Sequence, residues 1–138
     1  MKKIFALLAS LLFIDCAENP QQKEVAIQQT AQLIHLKTTT LDTHNDIDVK
    51  NFTDSLNYSQ NTNTQVNLPK MQAGALDVSW FIVYTKQGDL TPDGYKKAAN
   101  NALSKFDAIH RLTEVYAPTK IGLATSSSEV DSLRKMNK

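Results

Sequence analysis

The segment LDTHNDIDV, Leu41–Val49, brings one histidine and three carboxylates into a single short stretch. His44 and Asp46 are separated by one residue. In an extended backbone, side chains at i and i+2 leave the same side. An imidazole and a carboxylate can then reach one point in space, a donor pair suited to Zn²⁺ or a similar divalent ion. Asn45 faces the other way. On spacing alone the pattern H-x-D is weak, because a solvated polar turn uses the same residues and a zinc site takes three or four protein ligands. The other histidines, His35 and His110, fall on predicted helices, His35 as a packing or capping residue and His110 at a solvent edge.

The elements that must position this cluster are legible from pattern. KEVAIQQTAQLIHLK places Val25, Ile27, Ala31, Leu33, Ile34 and Leu36 roughly along one helical face. TTTLDT, rich in β-branched residues, predicts a short buried strand ending near Thr43, with the cluster just beyond it. Residues 51–67 are dominated by Asn, Thr, Ser, Gln and Asp without apolar period, and predict a loop that either rims a cleft or simply covers surface. Pro69 and Gly74 bracket a short helical turn. DVSWFIVYT is a nearly unbroken apolar run, the pattern of a strand buried on both faces in a parallel sheet. Trp80, Phe81 and Tyr84 are expected in the core.

The strongest helix lies in TPDGYKKAANNALSKFDAIHRLTEVYAPT, with Tyr95, Ala98, Ala99, Ala102, Leu103, Phe106, Ile109, Leu112 and Tyr116 as one apolar stripe and Pro118 as its stop. KIGLAT predicts a third strand. SSSEVDSLRKMNK predicts a last helix opened by a capping box of Ser126 and Glu129. Strands alternating with helices predict an α/β fold. Three strands are too few for a closed parallel barrel of about 250 residues, and the chain reaches Lys138 in or just after a helix, so an incomplete polypeptide is expected.

The 138 residues bound the chain to one domain, and 15 Lys+Arg against 14 Asp+Glu leave no electrostatic footprint for nucleic acid. The start, MKKIFALLASLLFIDC, joins two lysines to an apolar run from Ile4 to Ile14. As a helix it rises only about 16 Å, too short for a bilayer core of about 30 Å. Residues 1–16 therefore read as a secretory signal peptide. Residues 17–31 form a tether and the start of the first helix, and residues 32–138 the folded part. The lone cysteine, Cys16, excludes an intramolecular disulfide. Its place after the apolar run resembles a bacterial lipobox, although Asp15 stands where a small residue is expected. Export to the periplasm or cell envelope with a lipid anchor at Cys16 is the expectation.

Taken together, LDTHNDIDV and QVNLPKMQAGALDVSWFIVYT resemble the N-terminal part of the membrane dipeptidase family, the renal-dipeptidase-like zinc peptidases (peptidase family M19). There a D-[GT]-H-N-D segment ends the first barrel strand, and a P-r-m-r-x-G-G segment leads into the second. Asn67 here replaces the usual Asp, and Ala75 the second Gly. The resemblance covers about Gln32 to Lys138. It implies the N-terminal part of a (β/α)₈ TIM-type barrel, incomplete here, and a metal-dependent dipeptidase that holds two Zn²⁺ per complete enzyme. A dimer is the candidate assembly.

In that family His44 and Asp46 match ligands of one metal. A bridging Glu and two further His come from later strands, and neither Glu114 nor Glu129, each inside a predicted helix, matches the bridging position. No catalytic residue is expected within these residues. The chain should be inactive alone, bind zinc weakly and aggregate through its open sheet edge. Two other readings stay open: a different metal-dependent amidohydrolase on the same barrel, and a non-catalytic exported lipoprotein remnant.

Overall fold

The computed structural model describes residues 19–138, so the signal peptide expected over residues 1–16 and the lipidation expected at Cys16 lie outside the described residues. Helix α1 spans Pro20–Lys37. It starts ahead of the expected Lys23, because Asn19 Oδ1 accepts from the Gln21 amide at 3.0 Å and proline at the first helical position lacks only an N–H that would go unpaired anyway. At about 100° per residue, Val25, Leu33 and Leu36 leave one side of α1 while Ile27, Ala31 and Ile34 leave the other. The single apolar face expected of this helix therefore does not form, and none of its residues is buried. The chain divides inside α1 into a unit ending at Ile34 and a unit His35–Lys138, to which the sheet, the core and the candidate site all belong.

Strand β1, Leu41–Asp46, pairs in parallel with β2, Val78–Ile82. β1 begins and ends later than TTTLDT suggests, so His44 and Asp46 lie within the strand rather than beyond it. The displaced threonines serve as anchors instead. Thr40 Oγ1 donates to Ala75 O at 2.6 Å and accepts from the Asp77 amide at 2.9 Å, while the Thr40 amide donates to Asp77 Oδ2 at 2.9 Å. The third expected strand is absent: residues 121–124 have no ladder partner, and the sheet among the described residues has two strands. Packing overrides the strand pattern there. Ile121 lies against the core, and the Gly122 backbone is pressed so closely on the Leu133 side chain that a Cβ would collide with it.

The buried core comprises Ile47, Phe52, Tyr58, Val66, Leu68, Met71, Ala108, Leu112 and Ala117, with Phe81 packed on it. It covers one face of the sheet only. β2 is consequently not buried on both faces as its apolar run suggests. Phe81 is partly buried against the core, but Trp80 is 57% exposed and Tyr84 58%.

Residues 51–67 lack helix and strand beyond the end of a 3₁₀ turn, Val49–Asn51, yet they are no plain surface loop. Phe52 and Tyr58 fold back beneath the sheet with ring centroids 4.5 Å apart, and Phe81 meets both edge-on at 6.5 and 5.9 Å. Burying a ring of this size contributes about 1.5–3 kcal/mol. Two aromatics at irregular spacing leave no periodic signal, which is why the pattern shows only a polar loop.

Helix α2, Leu68–Ala73, has Pro69 in its first turn and Gly74 just beyond its end, as expected. Its cap, Asn67, is completely buried. Asn67 Oδ1 accepts from the Lys70 amide at 3.1 Å while Nδ2 donates to Thr62 O at 3.1 Å. A carboxylate could make the first bond but not the second, so Asn is suited to this loop. Gly74 has ordinary backbone angles; the left-handed residue is Ala75, at φ 48°.

Helix α3, Pro92–Arg111, opens on a Thr91 cap and runs into a π-helical turn, Leu112–Tyr116, with Ala117 as its end and Pro118 next. The expected stripe is only half used. Leu112 is buried with Ile109 and Tyr116 against the core, joined by Ala108 from outside the expected stripe, whereas Tyr95, Leu103 and Phe106 are exposed. The exposed set lies roughly 60–140° around the helix from the line through Ala98 and Leu112, wider than one contact face. Lys105 takes an unexpected place in the buried face. Its Nζ donates to Tyr84 O at 2.6 Å and stands 5.9 Å from the Tyr84 ring centroid, which satisfies the buried ammonium.

Helix α4, Ser127–Lys135, is capped by Ser126, but the Glu129 carboxylate reaches back to Thr125, accepting from its N and Oγ1 at 2.6 and 2.8 Å. Those bonds, the amide first, hold the Glu129 carboxyl below its ordinary value.

Candidate metal centre

His44 and Asp46 project from the C-terminal half of β1 onto the same face of the sheet, with His44 Nε2 3.8 Å from Asp46 Oδ2. Both side chains are 70% exposed. A polar contact so open to water contributes little to stability, so packing gives no reason for it.

The face they occupy is set by an irregularity in the ladder. Leu41 pairs with Val78 and Asp42 with Ser79, but Asn45 pairs with Phe81 and Asp46 with Ile82. Thr43 and His44 together thus oppose the single residue Trp80, a β-bulge. Paired residues share a face, and so do residues i and i+2. Ile82 and Trp80 lie opposite Phe81, away from the core, and Asp46 goes with them. Had the ladder run straight on from Asp42 and Ser79, His44 would pair with Phe81 and both ligand candidates would point into the aromatic cluster. Instead Asn45 turns to that side, where its Nδ2 is buried without a partner, as is Ser79 Oγ.

The His44 amide, freed from the ladder by the bulge, donates to Asp42 Oδ1 at 3.0 Å. Pattern reading did not assign Asp42 this part, although an Asp two residues before an amide it can accept from is a known turn-forming arrangement. Asp48, the third carboxylate of the segment, accepts from the Lys50 amide at 3.0 Å and caps the 3₁₀ turn. It belongs to the turn, not to the ligand pair.

The other candidates stay apart. His35 Nε2 lies 3.0 Å from Gly74 O and 3.1 Å from Ala75 O and caps the end of α2. His110 Nδ1 meets Glu114 Oε1 at 2.7 Å on the exposed side of α3 and its π turn. Among the described residues no third His, Cys, Asp or Glu joins His44 and Asp46 in a group able to hold a metal ion. Neutral imidazole with carboxylate is nonetheless a donor set that zinc accepts. The observed 3.8 Å separation is close to the roughly 3.3 Å that two ligands about 2.0–2.1 Å from a tetrahedral ion would span. The pair fits as half of a site.

Comparison with known proteins supplies a context for this pair. Over its described fold the chain is similar to the crystal structure of the probable dipeptidase PvdM from Pseudomonas aeruginosa, at 17% sequence identity and a TM-score of 0.72. The match covers 87% of this chain and 30% of that one, so the chain spans about a third of the length of the structure it resembles. No curated protein matches it. The sequence profile of the membrane dipeptidases matches residues 28–138, a span that takes in both strands, the bulge and the His44–Asp46 pair; the chain belongs to the membrane dipeptidase family, peptidase family M19.

Proposed function

We propose that this chain is part of a zinc-dependent dipeptidase, in which His44 and Asp46 hold one of two metal ions. The observation that carries the reading is the bulge-directed placement of these two side chains together on the open face of β1, away from the core. In a parallel α/β barrel the C-terminal ends of the strands are where active sites are built, and a (β/α)₈ barrel is the architecture we assign to the complete protein. Trp80, on the same face, then lines the barrel interior rather than solvent.

Zinc, when bound, supplies a Lewis acid for the scissile carbonyl and a water of lowered pKa. The protein's share is orientation. β1 presents an imidazole nitrogen and a carboxylate oxygen together, and the packed loop 51–67 fixes the chain that leaves β1. The remaining ligands, a bridging Glu and two His, are assigned to segments other than the described residues, so residues 19–138 are inactive by themselves. The substrate is a dipeptide, and the complete protein is exported and lipid-anchored at Cys16 in the envelope of a bacterium, with a dimer as its candidate assembly.

The deciding experiment is expression of the complete reading frame, with zinc content and hydrolysis of a dipeptide panel measured for the protein and for His44→Ala. Zinc-dependent dipeptide cleavage abolished in His44→Ala supports the proposal. Zinc uptake indifferent to His44→Ala sinks it, and cleavage confined to cyclic amides or esters transfers the chain to another amidohydrolase activity.

A further inference from the structure

We propose that Asp42 is a positioning residue for the metal centre, the latch of the bulge that turns His44 and Asp46 onto the open face; this role rests on the metal reading of that pair. Three observations lead to it. The ladder slips by one residue between Asp42 and Asn45, and without that slip the ligand pair would face the aromatic core. The slip takes Thr43 and His44 out of pairing. The His44 amide is then taken up by Asp42 Oδ1 at 3.0 Å, across two residues of the same strand.

A bulge is a place where a strand can relax by sliding one residue, and such a slide sends every following side chain to the opposite face. Sliding β1 into straight register requires the His44 amide to leave Asp42. The carboxylate thus holds the conformer in which imidazole and carboxylate converge, and it does so by accepting a backbone N–H, not by touching the metal. What is needed at position 42 is an acceptor oxygen at that reach. Negative charge as such is not.

The test uses the complete protein loaded with zinc alone. Zinc affinity is measured by competition with a chromophoric chelator, and exchange of the His44 amide by hydrogen–deuterium methods in the metal-free protein. Asp42→Ala is expected to weaken zinc binding about tenfold or more, the range found when groups that orient metal ligands are removed, and to speed His44 amide exchange by a similar factor. Asp42→Asn keeps an acceptor at the same reach and should stay within about threefold of wild type in both readouts. An unchanged zinc affinity in Asp42→Ala overturns the proposal. So does an Asp42→Asn as weak as Asp42→Ala, which assigns the effect to charge.

Should Asp42→Ala not fold, Asp42→Asn against Asp42→Glu decides, since Glu keeps the charge but moves it one methylene away. Asn near wild type with Glu weak supports the latch, and the reverse order overturns it. Zinc binding that survives His44→Ala is a separate failure, of the metal reading itself.

Discussion

The two ends of the β1–β2 sheet are built to opposite specifications. At the N-terminal end the charged groups and the threonines around Asp77 are tied together. Asp77 accepts from the Thr40 amide and pairs with Arg134 at 3.3 Å, Arg134 donates to Thr39 Oγ1 at 2.8 Å, and His35 closes on the carbonyls of Gly74 and Ala75. Three segments distant in sequence are joined there by side chains about 70% shielded from water at the Asp77–Arg134 pair. Toward the C-terminal end, His44 and Asp46 touch little except each other and stand open to solvent. Shielded, mutually satisfied polar groups stabilise a fold, because breaking one strands its partners. Exposed ones stabilise almost nothing but are free to bind. The division matches the rule that parallel α/β strands keep stability at their N-terminal ends and chemistry at their C-terminal ends.

The comparison can be broken most forcefully at Phe52, on the chain leaving the open end. It is fully buried among Tyr58, Phe81 and the α3 face. Phe52→Ala should cost about 3–5 kcal/mol in denaturant unfolding, as truncation of a buried ring does. A cost below about 1 kcal/mol would mean that the loop is not anchored, and that the open end is loose throughout rather than at its ligands alone. Next in size, Asp77→Ala should cost about 2–3 kcal/mol, because it leaves the Thr40 amide without its acceptor and Arg134 with Thr39 Oγ1 but no carboxylate. Zinc binding, measured alongside, should be unaffected. If Asp77→Ala instead leaves stability intact and removes metal, the two ends have been assigned the wrong way round.

These large effects fall on residues that pattern reading valued least. That LDTHND and VSWFI lie on strands was legible because a strand obeys a simple period of two residues and a helix one of 3.6. The helix cap at Ser126 was legible for the same reason, since a side-chain oxygen and an amide three residues on form a local pair. The bulge was not legible. It needs the partner strand to show it, and the TTTLDT pattern ends the strand at Thr43, short of it. The Asp77–Arg134–Thr39 network was equally hidden, as it joins residues up to 95 positions apart. Phe52 and Tyr58 sit in a segment whose composition is polar, and α1 suggests a face because its apolar residues are numerous rather than because they align. Lys105 shows the limit of hydropathy most simply: a charged residue is buried because one backbone carbonyl is within its reach.

A smaller change sharpens the picture of the tied end. Ala75 adopts φ 48°, a conformation that costs a residue with a Cβ roughly 1–2 kcal/mol, and its carbonyl serves both Thr40 and His35. Ala75→Gly removes that strain but adds freedom to the unfolded chain, which takes back roughly 0.5–1 kcal/mol. The net expectation is a gain of about 0.5–1 kcal/mol. A loss would show that the Ala75 methyl group packs more than it strains. A pH dependence follows from Tyr58, whose burial pushes the phenol above its ordinary 10.0, partly offset by hydrogen bonds with Asp48 and Asn51. The folded state then holds the proton more tightly than the unfolded one, so this contribution is complete below pH 10 and is lost as pH rises through the folded value. Tyr58→Phe should flatten that alkaline decline, and an unaltered decline would place its origin in other groups.

The smallest expected effect on stability is the most telling about function. His44→Ala removes a side chain 70% exposed whose nearest carboxylate oxygen, on Asp46, is 3.8 Å away, so unfolding free energy in the absence of metal should change by no more than about 0.5 kcal/mol. With saturating zinc the wild type should gain stability by mass action, about 2.7 kcal/mol at a hundredfold excess over the dissociation constant, and His44→Ala should not. Parallel melts with and without zinc measure both quantities at once. A large loss without metal would mean that His44 belongs to the scaffold like His35, and the contrast between the two ends would disappear. Indifference without metal and a zinc-dependent gap between the two proteins is the behaviour of a side chain kept for binding, held on its face by a strand irregularity rather than by packing of its own.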